Sequence, residues 1–406
     1  MDSQKISYLK KTGVVSWILF LATLVITIIS IIPAIFPALL LRSFGGHEDN
    51  IGINPFEIGA WALPLLVTNI ILLFIVVAYL KNRLWQPLTK SIKFIFNFEV
   101  SKGVSFFVVL ILIGFYITFS VGELFNGQHD EDFYEHVKPW LESYSVTDLK
   151  TTPLDYHFML LLETVSMKVF ENYKVIPFFA SISLLLLTYF VTVEISKKRF
   201  AGIVAMVIVL QSTVFLMYDT SVSYPNFWIL FYLLSLYLII KKWPLSPISY
   251  VASIFSKPLT AAFLPMTLFF VYNSDISKKK KIYNFISYGV IILAGIGFLT
   301  LSNSSPISAL EFDSHDFWGG FSAIYFSLRY DVIVLAFLLP LVVGLFIASS
   351  KGMPHANSIM FLILGILLSA ALVPAFSTII NVPYRYITLI VFFALGTGVL
   401  LSKKVT

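Results

Sequence analysis

Apolar segments of about 20 residues, the length a helix needs to cross a bilayer, recur along this entire chain. They fall at 13–42, 59–80, 104–122, 175–195, 200–217, 223–240, 246–256, 258–273, 283–301, 331–349, 357–376 and 384–402. Of 406 residues, 58% are hydrophobic and only 12% charged, with a mean hydropathy of +0.88. A soluble domain of this size cannot bury so much apolar surface. The pattern predicts an all-α polytopic membrane protein with about 12 transmembrane helices. The segment at 246–256 is short for a span and is counted because a basic loop follows the next one. The first segment is too long for a signal-peptide core and reads as a retained helix.

Charge sets the orientation. With a cytoplasmic N-terminus, the inner loops carry Lys5, Lys10 and Lys11, then Lys81, Arg83, Lys90, Lys93 and Lys102, then Lys197, Lys198 and Arg199. Lys241 and Lys242, the run Lys278 to Lys281, Lys351, Lys403 and Lys404 continue the series. Every inner loop thus satisfies the positive-inside rule, and both termini are expected in the cytoplasm. The net charge of +6 is a topology signal, and no nucleic-acid partner is expected. Of the acids, only Asp2, Glu99, Glu194 and Asp275 fall inside, so chemistry is expected on the outer face. With no cysteine in the chain, disulfides, thiolate nucleophiles and Cys-based metal sites are excluded.

Two outer stretches are long, about 122–174 and 302–330. The first contains Asp155 to Phe170, of intermediate hydrophobicity. A full crossing there would flip every later basic loop, so the segment is expected to lie in the interface. The second is Ser-rich, then acidic and aromatic, and reads as an external loop.

The first outer stretch opens on His129-Asp130-Glu131-Asp132-Phe133-Tyr134-Glu135-His136. Crowded carboxylates repel, which raises the pKa of at least one unless a cation intervenes. Asp130 and Glu131 therefore suit a general base, or a site for a divalent metal ion bridging to an anionic substrate. A solvated acidic loop is the plainer alternative. Asp132, His157 and His315 are the remaining metal-ligand candidates, although interfacial histidines are usually only satisfied polar groups. Asp219, on a short outer turn, either positions a substrate or caps a helix. Lys257 and Arg385 sit at outer helix boundaries, where a phosphate would meet a point charge and a bidentate fork. Snorkelling to the headgroups is the competing explanation. Arg329, beside Asp331, is a further phosphate-binding candidate or one half of an ion pair.

The order of these features resembles the GT-C glycosyltransferases, most closely the branch of protein O-mannosyltransferases and lipid A aminoarabinose transferases. A membrane helix is followed at once by the acidic pair Asp130-Glu131, then Phe133-Tyr134. An interfacial helix opens at Pro153-Leu154, a span ends in Lys197-Lys198-Arg199-Phe200, and Asp219 stands on the next outer turn. A helix pair broken at Lys257-Pro258 and a late Tyr384-Arg385-Tyr386 complete the likeness, which covers roughly 104–275 and the 380s. In this sequence two helices precede the similar part, the double-proline step is reduced to Pro153-Leu154, and no large soluble domain follows the last helix. The Trp-Trp-Asp motif of oligosaccharyltransferases is missing.

The resemblance implies an enzyme of the cell envelope taking a sugar from a polyprenyl- or dolichyl-phosphate carrier. The sugar passes to a glycan, lipid or protein acceptor on the non-cytoplasmic face. Asp130, Glu131 and Asp219 would be catalytic, and Lys257, Arg385 and Arg329 would bind the lipid phosphate. On this basis the chain divides into a two-helix extension (1–100), a GT-C-like catalytic module (101–301), and an external loop with the C-terminal helices (302–406). The rival expectations are a transporter or flippase with the acids as a cation or proton relay, and a non-catalytic subunit with the same architecture.

Overall fold

The computed structural model describes residues 13–40, 54–126, 133–144, 157–301, 312–353, 355–376 and 382–402. These residues are helical, with no strand among them. Helices α1 (Val14–Ile35) and α2 (Ala62–Leu80) lead to α3 (Gln86–Asn97) and α4 (Lys102–Ser120), which ends in a 3-10 turn at Val121–Leu124. The short α5 (Lys138–Ser143) and α6 (His157–Phe170) precede α7 (Val175–Ser196), α8 (Arg199–Leu210), α9 (Thr213–Tyr218) and α10 (Phe227–Lys241). Then come α11 (Ser246–Ser256), a 3-10 turn at Pro258–Phe263, α12 (Leu264–Asn273) and α13 (Lys278–Leu301). Next are α14 (Ser314–Leu328), α15 (Val332–Ser350), α16 (Ala356–Ala375), the 3-10 turn Pro383–Tyr386 and α17 (Ile387–Leu400).

Among the described residues, seven stretches are long and apolar enough to cross a bilayer: 14–35, 62–79, 102–124, 175–196, 332–350, 356–375 and 383–400. The chain is an all-helical, polytopic membrane protein, because helices satisfy their own backbone groups where no water can. Three more apolar helices, Arg199–Leu210, Phe227–Lys241 and Pro258–Asn273, are shorter. The expected segment at 200–217 divides at Gln211 and Ser212 into α8 and α9. Ser212 caps the new helix locally, accepting the backbone N–H of Phe215 at 3.1 Å, and the distant Asp331 adds a second cap, accepting the backbone N–H of Thr213 at 2.8 Å and of Val214 at 3.3 Å.

Helix α17 lies at the centre, its side chains almost all buried against α7, α8, α15 and α16. At the periphery, Leu63, Ile70, Leu73 and Phe74 of α2 are more than half exposed, as suits a lipid-facing helix. The N-terminal pair packs on C-terminal helices, α1 along α14, α15 and α16, and α2 along α15. Phe20 stacks on Phe346 at 4.1 Å, and Asn357 donates to Ser16 at 2.8 Å.

Residues 314–328, expected within an external loop, instead form α14, packed along α16 and α1. Asp313 opens the helix by accepting the backbone N–H of His315 at 2.7 Å and of Asp316 at 3.1 Å. Gly320 then lets the two backbones approach, since a Cβ there would fall on Ala370 and Ala371 of α16.

Candidate active site

Asp219 follows the last residue of α9 and is buried, 1% exposed. Ser120, at the end of α4, donates to its Oδ2 at 2.6 Å, and Ser181 of α7 donates to its backbone carbonyl at 2.7 Å. Asn226 in turn donates to Ser181 at 3.0 Å. The Oδ1 of Asp219 has no hydrogen-bond partner among the described residues. Burial pushes the carboxyl up to about 7, against the hydrogen bonds from Ser120, the Tyr116 hydroxyl and the Thr220 backbone, and the nearby Glu123 adds to the rise. A buried carboxyl raised toward neutrality suits a general base.

The turn carrying Asp219 and the segment 172–174 together hold the chain just after α4. Thr220 donates to Glu123 at 3.1 Å, Asn172 donates to the Leu124 carbonyl at 2.7 Å, and Lys174 donates to the Asn126 carbonyl at 2.9 Å. Phe133 packs edge-on against Tyr173, ring centroids 6.2 Å apart. Asn126 and Phe133, the described residues on either side of 127–132, thus both rest on the segment 172–174. Asp130, Glu131 and Asp132 themselves lie outside the described residues.

Lys257 is placed by a serine stripe. Helix α11 turns Ser246, Ser249 and Ser253 toward α10, where they donate to the carbonyls of Ser235 (2.9 Å), Phe231 (2.8 Å) and Trp228 (2.6 Å). Small hydroxyl residues at this spacing let two apolar helices lie close together. Pro258, which lacks an N–H, then breaks the helix, and Lys257 leaves its end in extended backbone. Its ammonium meets the hydroxyl of Tyr384, and the ring of Tyr384 stacks on Tyr224 at 4.4 Å. Tyr218, the neighbour of Asp219, packs edge-on against the same ring at 5.9 Å. A tyrosine cluster therefore joins the Asp219 turn to Lys257 and to the turn that carries Arg385.

Arg385 is buried. It is 7% exposed and lines a narrow cleft with Leu259, Ile366, Ser369, Ala370 and Tyr386. Its Nε and Nη1 have no hydrogen-bond partner among the described residues. Buried guanidinium N–H groups without a described partner have hydrogen-bonding capacity to offer an anion, and the cleft as it stands has room for about one water molecule.

The other candidates lie elsewhere. Arg329 is exposed at the end of α14, over the ring of Tyr330 at 4.9 Å. Asp331 is occupied in capping α9, so the expected pair with Arg329 gives way to that cap. His157 contacts the Tyr144 hydroxyl through Nε2 at 3.2 Å, and His315 stands in the first turn of α14. No three His, Asp or Glu side chains gather in metal-binding fashion among the described residues.

Sequence reasoning passed over Glu163. It is fully buried in α6, and both its oxygens lack a hydrogen-bond partner among the described residues. Burial raises its carboxyl well above the ordinary range. The signal was present: Met159, Glu163 and Ser166 follow the i, i+4, i+7 spacing of one buried helix face, with Leu160 beside them. Ser120 and the bridging Tyr218 and Tyr224 gave no comparable sign. No family model, curated protein or solved structure matches this chain.

Proposed function

We propose that this chain is a membrane glycosyltransferase of GT-C type. In this reading it crosses the bilayer about 12 times, with both termini cytoplasmic and α6 lying in the outer interface. It transfers a sugar from a polyprenyl- or dolichyl-phosphate carrier to an acceptor on the non-cytoplasmic face. One observation carries the reading: a near-neutral buried carboxyl at Asp219 is joined through tyrosines to Lys257 and to the turn of the anion-ready Arg385. Such a site pairs a base with cations for a leaving phosphate.

In the step this supports, Asp219, Asp130 or Glu131 accepts the proton of the acceptor hydroxyl. The acceptor oxygen bonds to the anomeric carbon while the bond from that carbon to the phosphate oxygen breaks. The electron pair leaves with the lipid phosphate, whose charge Lys257 and Arg385 stabilise. A proton-relay transporter has less support. Glu194 is held by Lys197 and Lys241, each at 2.7 Å, and Asp331 is a helix cap.

The test is turnover of lipid-phosphate-linked sugars by the purified protein, with Asp130→Asn and Glu131→Gln beside the wild type. Loss of a well-placed base should lower the rate by about 10²–10⁴. An absence of turnover with every polyprenyl- and dolichyl-phosphate sugar would leave the non-catalytic subunit as the better reading. Orientation is read separately by labelling Phe125→Cys and Ser277→Cys in this cysteine-free chain. An impermeant reagent applied outside should mark the first and spare the second, and reversed labelling would overturn the assigned topology.

A further inference from the structure

Helix α3 has no buried residue, although it joins two helices that are each long and apolar enough to cross the bilayer. At 100° per residue, Leu88, Ile92, Ile95 and Phe96 form one stripe, with Gln86, Lys90, Lys93 and Asn97 opposite. The apolar side is open: Leu88 is 37% exposed, Ile95 and Phe96 46%, and Trp85 just before the helix 74%. Only the far end is docked. Lys198 donates to the Phe96 carbonyl at 2.8 Å, and Phe98 packs edge-on against Phe200 at 4.9 Å. This fixes the end of α3 beside the basic turn between α7 and α8. At the other end, Asn82 adopts a left-handed conformation (φ 54°), the kind of residue that tolerates it, and redirects the chain out of α2.

A helix strung between two membrane-crossing helices begins and ends at the bilayer surface, so lipid is the natural cover for its apolar stripe. The charge says which lipid. From Ile58 to Phe98 the sequence has no acid, while Lys81, Arg83, Lys90, Lys93 and Lys102 are all exposed around the helix. Glu99, just after the helix, is engaged by the backbone N–H of Arg199 at 3.0 Å. We infer that α3 is a lipid-binding strap that lies in the membrane surface and gathers anionic phospholipid headgroups along Lys90 and Lys93. The inference is independent of the proposed transferase activity.

The full-length protein is reconstituted in phosphatidylcholine vesicles containing phosphatidylglycerol. A fluorophore is attached at Leu88→Cys or Ile95→Cys on the stripe, or at Asn97→Cys on the polar side. Lipids spin-labelled near the headgroup should quench the two stripe probes, and aqueous iodide should quench the probe at Asn97. A trace of spin-labelled phosphatidylglycerol should quench the stripe more strongly than spin-labelled phosphatidylcholine. Lys90→Gln combined with Lys93→Gln should reduce that preference roughly tenfold, at several-fold per lysine near the surface. Both residues are exposed and leave the core untouched. Equal iodide quenching of stripe and polar probes would overturn the inference. So would equal quenching by the two lipids, or disulfide pairing of two copies through Ile95→Cys.

Discussion

The ammonium of Lys257 meets the hydroxyl of Tyr384 across 127 residues of sequence, tying the broken end of α11 to the turn that opens α17. Helix α17 is the most enclosed element of the bundle, so this contact anchors the candidate site to its least deformable part. The face of Tyr384 is covered by Tyr224, and its edge meets Tyr218. The cation, the tyrosines and the Asp219 turn therefore share one support. A site held this way presents its groups with little reorganisation when substrate arrives.

Asp219→Asn should separate catalysis from stability. The folded carboxyl is pushed up to about 7 from an ordinary 3.8. The folded state therefore holds this proton more tightly than the unfolded chain. The stability this contributes is complete below about 3.8 and is lost as pH rises through about 7. Asparagine keeps the acceptor for Ser120 and removes that loss, so thermal unfolding near neutral pH should be unchanged or later. Turnover, if Asp219 is the base, should rise with pH through about 7 in the wild type and fall by about 10²–10⁴ in the variant. A variant that keeps its rate would leave Asp219 a structural residue.

Glu163 predicts a second pH effect. Its carboxyl is raised by burial in α6, so the protonated form suits the fold. The stabilisation is full below the ordinary glutamate range and fades as pH climbs toward the raised value. Glu163→Gln mimics the protonated acid and should flatten the pH dependence of thermal unfolding on the alkaline side. Identical slopes for wild type and variant would show that the carboxylate finds solvent or a cation.

Gly320→Ala should be destabilising by about 1–3 kcal/mol, the usual cost of overpacking, because its Cβ would meet the backbone of α16. Gly114→Ala in α4 is the control, since a Cβ there meets nothing within 4 Å. It should be neutral or stabilising by up to about 1 kcal/mol. Thermal unfolding in detergent reads both, and equal effects would mean that the approach of α14 to α16 is looser than described.

Legibility tracked the range of the forces involved. The membrane class followed from local hydropathy, and α6 from a segment too polar to join the spans. Lys257 and Arg385 stood out because cations are scarce at the helix ends expected to face outward. The break between α8 and α9 had a local sign in the Ser212 cap that the long apolar run masked, whereas its second cap, Asp331, is 118 residues from Thr213 and left no local trace. Helix α14 was hidden by a Ser-rich, acidic approach that resembles a loop, while its register depends on Gly320 meeting α16. The junction of Asp219, Tyr218, Tyr224, Tyr384 and Lys257 is a tertiary event with no periodic trace. The acids Asp130 and Glu131 stay a sequence argument, since they lie outside the described residues.

Arg385 offers the sharpest test of the donor site. Its Nε and Nη1 are buried without partners among the described residues, so truncation removes few internal hydrogen bonds and should leave the fold intact. A hydrogen bond to a charged group contributes about 1.5–3 kcal/mol. Arg385→Ala should therefore weaken binding of a polyprenyl-phosphate analogue roughly ten- to a hundredfold. Arg385→Lys should recover part of the loss, because it keeps the charge but not the fork. Arg329→Ala, altering an exposed side chain over Tyr330, should leave binding unchanged. Native mass spectrometry of the purified protein with the analogue measures all three. Equal affinity for wild type and Arg385→Ala, or an equal loss for Arg329→Ala, would move the lipid-phosphate site away from this cleft.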